Sequence, residues 1–170
     1  MSRRRKPLQD IRTMNALFTA AEKEAALVGE SEAGAEHLIL ASFDLPDGST
    51  ERAFQRVGVY PKAFRDAIAA QHAAAMRKIG IAPNDGALDG KLPEPTPAHG
   101  PLRTKGSSQN VFKKVVKLVK KERSQLYGAY IVLVATEAEH GTVARALDHL
   151  GVHREALAEA ARIELDALNV

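Results

Sequence analysis

The sequence predicts an all-α protein of about eight helices, built as two tandem, pseudo-symmetric four-helix repeats with a long proline- and glycine-rich linker between them. The first observation is a duplication: GAEHLILA at 34–41 is echoed by GAYIVLVA at 128–135, an offset of 128 − 34 = 94. The second is that apolar residues on both sides of the linker recur at helical spacing, while no segment alternates like a strand. Two copies of one small unit can share a core, so we expect the halves to pack together.

Further positions keep the same spacing. Phe18 corresponds to Phe112 at the offset of 94. Gly58 corresponds to Gly151 at 151 − 58 = 93, which indicates a loop one residue shorter in the second half.

The first predicted helix carries apolar residues at helical spacing from Ile11 onward, and Asp10 or Thr13 could cap it. Gly29 is expected to end it, because glycine adopts a left-handed backbone without the steric cost of a side chain.

Three more helices are predicted in the first half. A short helix follows Gly34, and the next spans about 50–57. The fourth begins near Pro61, since proline is suited to the first turn of a helix, and runs to about Ile79.

The same pattern returns after the linker, with helices predicted over 108–125, 129–139, 142–150 and 154–168. The β-branched segment 131–134 suggests a strand, but its repeat partner 37–40 has a higher helix propensity. Because the two segments are copies of one unit, we predict a helix for both. We therefore expect a flexible basic tail at 1–9, repeat 1 at 10–79, a linker at 80–106 and repeat 2 at 107–168, with both repeats packed as one domain.

Composition excludes several classes of protein. The 170 residues include no cysteine, which rules out disulfides and thiolate metal sites and fits a reducing compartment, so a cytoplasmic location is expected. No apolar run approaches the roughly 18 residues of a membrane span. The net charge of 24 − 21 = +3 is only mildly basic.

One motif set carries a resemblance to a known family. An alanine-rich first helix, Gly29, the run GAEHLIL at 34–40 and the run VGV at 57–59 follow one another in the first half. This pattern and its duplication resemble the Clp repeat, the N-domain module of ClpA- and ClpC-type unfoldases, over about residues 10–76 and 107–165.

The resemblance implies a recognition module without its motor. The sequence contains no Gly-x-x-x-x-Gly-Lys-Ser/Thr phosphate loop and no Gly-x-Ser-x-Gly nucleophile motif, so no enzymatic activity and no cofactor are expected. The function it implies is that of a stand-alone protein-binding module. Its expected partners are Clp unfoldase components, adaptors or client proteins, and its expected contacts are Glu36 and the groove between the repeats.

Glu36 is the first candidate binding residue. In some ClpC N-domains the glutamate of Gly-Thr-Glu-His resembles a clamp for the guanidinium of phosphoarginine, a degradation tag, and a carboxylate matches that planar donor. Here Ala35 replaces the threonine, and Tyr130 replaces the glutamate in the second repeat. Ala35 and Tyr130 occupy the corresponding positions and are candidate peptide-binding residues together with Glu36. The alternative is that Glu36 only stabilises the first turn of its helix, where the dipole favours negative charge.

The histidines are expected to be structural. For His37 we expect a ring that hydrogen-bonds between helices of its repeat. His149 and His153 have a metal-like spacing, but Gly151 lies between them and no third ligand is evident, so no metal site is expected.

A lysine-rich helix is the second candidate surface. Lys113, Lys114, Lys117, Lys120 and Lys121 gather opposite an apolar stripe, which suits acidic protein surfaces or phosphates, or is simply a solvated face. With the Arg-rich N-terminus, this face gives an alternative function, nucleic-acid or polyanion binding. Aromatic residues make up 5% of the chain and tryptophan is absent, which disfavours nucleic acid.

Peptide macrocycles dock on related actinobacterial modules at an aromatic-Thr-Pro entry to the second repeat. Here the entry reads Thr104-Lys105-Gly106, with Gln109 and Lys113 where a basic and an acidic residue would be expected. The sequence therefore departs from that site.

Overall fold

A computed structural model describes residues 7–80 and 105–170, and this part of the chain is all-helical, with no β-strand. Its eight helices are α1 Pro7–Leu27, α2 Ala35–Ser42, α3 Ser49–Arg56, α4 Pro61–Lys78, α5 Gly106–Glu122, α6 Gly128–Ala135, α7 Thr142–His149 and α8 Arg154–Asn169. The predicted fold class is confirmed. The predicted Arg-rich tail and most of the predicted linker lie outside the described residues.

Four predicted helix boundaries are wrong, among them the end of α5, which lies at Glu122 and not at residue 125. Helix α1 begins at Pro7, which lies within the predicted tail. Proline has no backbone N–H, but the N–H groups of the first turn have no partner within the helix, so proline is well suited to this position. Asp10 therefore lies inside α1 and does not cap it; its Oδ1 accepts the backbone N–H of Leu126 at 2.9 Å. Helix α5 begins at Gly106, inside the predicted linker, and α6 ends at Ala135, four residues before the predicted end.

The turns that close α3 and α7 show the duplication at atomic level. Gly58 and Gly151 follow these helices with φ of 75° and 69°. In each turn the next N–H reaches back to a helix carbonyl, Val59 to Phe54 at 3.0 Å and Val152 to Leu147 at 2.9 Å. Left-handed backbone at the end of a helix strongly favours glycine, so both repeats need it at this position.

Helices of the first half pack against helices of the second half in a shared core. Helices α2 and α6 contact each other at the centre, α3 packs on α8 and α4 packs on α7. Helix α3 of the first repeat corresponds to α7 of the second, and α4 corresponds to α8. The α3–α8 and α4–α7 contacts are therefore equivalent under the pseudo-symmetry. The two four-helix units thus share their core rather than lying side by side.

Helix α2 is buried along its whole length, from Ala35 to Ser42, and its apolar run 38–41 lies in the core. Phe54 and Phe64 pack with their ring centroids 4.9 Å apart beside it. Phe18 and Phe112, the matched pair of the sequence, meet edge to face at 4.7 Å. The apolar residues common to both repeats therefore form the core.

Charged groups also join the halves. The carboxylate of Glu164, which is buried on α8, accepts hydrogen bonds from Arg52 Nε at 2.6 Å and Arg56 Nε at 2.7 Å on α3. None of the helices in 7–80 and 105–170 is long and apolar enough to cross a membrane.

Candidate functional site

An open cavity of about 550 Å³ lies where the two repeats meet. The start of α2 and the exposed side of α5 form one wall, and the end of α6, the α6–α7 turn and the start of α7 form the other. Its apolar lining comes from Ala35, Val111, Val134, Ala135, Ala138 and Val143. Its polar lining comes from Glu36, Lys105, Ser107, Asn110, Lys113, Lys114, Glu137, His140, Gly141 and Thr142.

Glu36 is the second residue of α2, and its carboxylate folds back over the start of the helix. The main chain of Gly34 lies so close that a Cβ built there would be 2.5 Å from Glu36 Oε2. Glycine at 34 thus leaves the space in which the carboxylate lies. Only 4% of Glu36 is exposed, so any group that pairs with it must enter the cavity.

His37 caps its own helix. Its Nδ1 accepts the backbone N–H of Gly34 at 2.9 Å, so the cap of α2 comes from His37 and the bond lies within one helix rather than between helices. Burial lowers the pKa of His37, although the nearby Glu36 and Glu30 carboxylates act in the opposite direction. The neutral ring is therefore favoured, with Nδ1 free of a proton.

Lys105 neutralises the acidic groups beside the cavity. Its ammonium bonds to the carboxylate of Glu30 and lies 3.9 Å from Glu36 Oε1. Burial would raise the pKa of Glu30, but the hydrogen bond and charge of Lys105 outweigh it, and the pKa is lowered. Glu36 therefore faces the cavity with one cation already near it.

Glu30, Glu36 and His37 are the one group of metal-capable side chains in the described ranges, with donor atoms within 4.8 Å of one another. Lys105 already contacts both carboxylates, and His37 Nδ1 is engaged by Gly34. These contacts oppose metal binding. His149 ends α7 and His153 precedes α8.

The structure joins the two surfaces that the sequence suggested separately. Lys113 and Lys114 line the same cavity as Ala35 and Glu36. The other three members of the predicted basic face, Lys117, Lys120 and Lys121, continue along the exposed side of α5.

Tyr130 does not join them. It is fully buried, its hydroxyl donates to Glu122 Oε2 at 2.7 Å, and Asn169 Nδ2 donates to that hydroxyl at 3.3 Å. Burial raises the pKa of Tyr130, and the hydrogen bond to Glu122 adds to the effect. Its ring packs in the core and its polar atom is engaged, so Tyr130 does not line the cavity, and its binding role stays a prediction.

The equivalent groove in the second repeat is closed by the α2–α3 turn. Asp47 accepts the N–H of Gly128 with both oxygens, at 3.3 and 3.4 Å, and Ser49 Oγ accepts the N–H of Ala129 at 2.8 Å. These bonds pull the turn against the start of α6. Among the described residues, the first repeat presents the start of its second helix to this open cavity, whereas the start of α6 is covered by the α2–α3 turn.

The residues of the α6–α7 turn were not among the predicted site residues. Ala138, His140 and Gly141 line the cavity, but the predicted α6 ran through residue 139 and so took in most of the turn. Gly48 and Gly141 occupy equivalent positions in the two repeats, 141 − 48 = 93, and each immediately precedes a helix. This equivalence is the sequence signal that marks the turn.

The fold is similar to a solved one, the crystal structure of the N-terminal domain of the caseinolytic protease-associated chaperone ClpD from Arabidopsis thaliana. The TM-score is 0.60 at 20% identity, over 91% of this chain and 94% of that chain. No protein-family model and no curated protein match this chain. The likeness establishes a fold of the Clp N-domain type.

Proposed function

We propose that this chain is a protein-binding module of a Clp unfoldase or protease system. It holds a segment of a substrate, an adaptor or a degradation tag in the cavity between its repeats, and it makes and breaks no covalent bond. The observation that carries this proposal is one open, partly apolar cavity with a buried carboxylate and a lysine rim, on a fold of the Clp N-domain type.

The cavity suits a side chain with a cationic end. Its volume of about 550 Å³ falls in the range of pockets that enclose a small ligand. Apolar walls would hold the methylene groups of an arginine, and Glu36 would accept its guanidinium in paired hydrogen bonds. A phosphoryl group on that guanidinium would face the ammonium groups of Lys113 and Lys114, so phosphoarginine-tagged proteins belong to the ligands we propose.

A random-sequence peptide library panned against the immobilised chain tests the proposal. Ala138→Trp fills the mouth of the cavity from an exposed position, and Ala156→Trp adds the same side chain at an exposed position of α8 as a control. We expect peptides that bind the chain and Ala156→Trp but not Ala138→Trp. Equal recovery on all three proteins would overturn the proposal.

Glu36→Gln tests the chemistry of recognition on the peptides recovered. We expect arginine-containing peptides to bind this variant at least about tenfold more weakly, which is the scale of a charge-assisted hydrogen bond. Replacing arginine by citrulline in the peptide should cause a similar loss, and the two losses should not add. Glu155→Gln, on the exposed side of α8, is the matched control.

A further inference from the structure

We propose that the segment held in the cavity continues into an acidic stretch, which lies along the lysine face of α5. This inference rests on the proposed function and names the class of polypeptide that the site selects. It follows from the arrangement, the pairing and the position of five lysines.

The lysines form a continuous face. At 100° per residue, the side chains of Lys113, Lys114, Lys117, Lys120 and Lys121 fall within an arc of about 120°. All five are exposed, while Val111, Val115 and Val119 are buried on the other side of the helix. The rise of 1.5 Å per residue makes this face roughly 12 Å long.

Most of this charge forms no ion pair in the described part of the chain. Among the described residues, Lys114 alone of the five makes an ion pair, between its Nζ and Glu137 Oε2 at 2.7 Å. Five cations within roughly two turns repel one another, and a helix tolerates this better when an anionic partner lies beside it. The face is therefore complementary to a negatively charged ligand.

The position of the face indicates a polypeptide rather than a nucleic acid. Lys113 and Lys114 lie at the cavity rim, so a chain leaving the cavity passes directly onto the other lysines. A length of roughly 12 Å matches about four residues of extended peptide at 3.3 Å each. In the described part of the chain, the one strongly exposed aromatic ring is Tyr60, which precedes α4, so the face carries no platform on which bases could stack.

The probes are fluorescein-labelled peptides with a shared core, Ala-Leu-Arg-Leu-Ala, extended at either end by four aspartates, four serines or four lysines. Dissociation constants are measured by fluorescence polarisation at low and high salt. We expect the aspartate extension at one end to bind about tenfold more tightly than the serine extension, given the modest energy of each exposed ion pair. Salt should reduce that gain.

Two charge-matched variants locate the effect. The first changes Lys117, Lys120 and Lys121, which do not line the cavity, to glutamine, and it should lose most of the gain while still binding the serine peptide. The second changes Lys23, Lys62 and Lys78 to glutamine elsewhere on the surface and should keep it. Equal binding of aspartate and serine peptides, with both still blocked by Ala138→Trp, would overturn this inference and leave the proposed function standing.

A failure of the proposed function looks different. No binding of any peptide, or binding that Ala138→Trp leaves intact, contradicts the cavity proposal and the acidic extension with it. An oligothymidylate that binds the lysine face as tightly as the aspartate peptide, independently of Ala138→Trp, overturns the inference by showing a general polyanion surface.

Discussion

Asp47 and His140 occupy matching positions in the two repeats, at 140 − 47 = 93, and have different contacts. Asp47 accepts the N–H of Gly128 and closes the groove at the start of α6. His140 makes no hydrogen bond to α2 and lines the open cavity instead. The same turn carries a carboxylate in one repeat and an imidazole in the other, and in the described part of the chain it covers the start of α6 but leaves the start of α2 facing the cavity.

Asp47→Ala should destabilise the protein by about 1–2 kcal/mol, because the start of α6 loses its acceptor and Ser49 loses a partner. The free energy of unfolding in urea measures the effect. His140→Ala is the control at the matching position and should change stability by less than about 0.5 kcal/mol. Equal losses in the two variants would contradict the asymmetry.

Gly128→Ala should cost about 1–3 kcal/mol, because the new Cβ would lie 2.2 Å from Oγ1 of the buried Thr50. The matching change, Gly34→Ala, meets only the carboxylate end of Glu36, which can swing away. We expect Gly34→Ala to lose under about 1 kcal/mol of stability but to weaken peptide binding. Thermal unfolding and a peptide titration compare the two; a larger stability loss in Gly34→Ala would contradict this.

Glu164→Gln should lower stability by about 1–2 kcal/mol at neutral pH, since two half-exposed arginines lose their carboxylate. Burial raises the pKa of Glu164, but the hydrogen bonds and charges of Arg52 and Arg56 outweigh it, so the pKa is lowered on folding. Stabilisation is then present above the unfolded pKa of about 4.3 and is lost as pH falls through the folded value.

Urea unfolding of both proteins at pH 7 and at pH 3 measures this linkage. The difference between wild type and Glu164→Gln should shrink in acid. Glu155→Gln, at a carboxylate with 79% of its side chain exposed on the same helix, should show almost no difference at either pH. An unchanged Glu164→Gln deficit at pH 3 would contradict the assignment.

His37 gives a second pH dependence of the same sign. Its pKa is lowered by burial, so its contribution is complete above the unfolded value of about 6.5 and decreases as pH falls from there toward the folded value. Protonated Nδ1 also cannot accept the N–H of Gly34. Glutamine at this position can still accept that bond but does not titrate.

Wild type should therefore lose stability relative to His37→Gln between pH 7.5 and pH 5, with unfolding followed in urea at each pH. His153→Gln, at an exposed position before α8, is the control and should track the wild type. A constant difference between wild type and His37→Gln over this range would show that His37 does not titrate there.

The duplication predicted most of the fold because both copies use the same side chains for the same packing. Matched Phe18 and Phe112 meet edge to face with both rings partly buried, and matched Gly58 and Gly151 end equivalent helices. The packing of α3 on α8 and of α4 on α7, across the two repeats, was not predicted. It depends on which buried faces fit each other, and a pattern along one repeat does not contain that information.

The site was predicted less well, because its residues are set by differences between the copies. Glu36 and Lys113 were identified as candidates separately, but their shared cavity depends on the α6–α7 turn, of which residues 136–139 were predicted as helix. Tyr130 was selected because it replaces Glu36. Its hydroxyl bonds to Glu122, eight residues earlier, and to Asn169, 39 residues later, and the approach of Asn169 is set by the fold rather than by the local sequence.

The most direct measurement is an amide chemical-shift map of the isotope-labelled chain titrated with a peptide recovered by panning. Saturable shifts should concentrate at Ala35, Asn110, Ala138 and Gly141, and they should vanish in Ala138→Trp. Shifts confined to other surfaces, or persisting unchanged in Ala138→Trp, would show that the cavity between the repeats does not bind polypeptide.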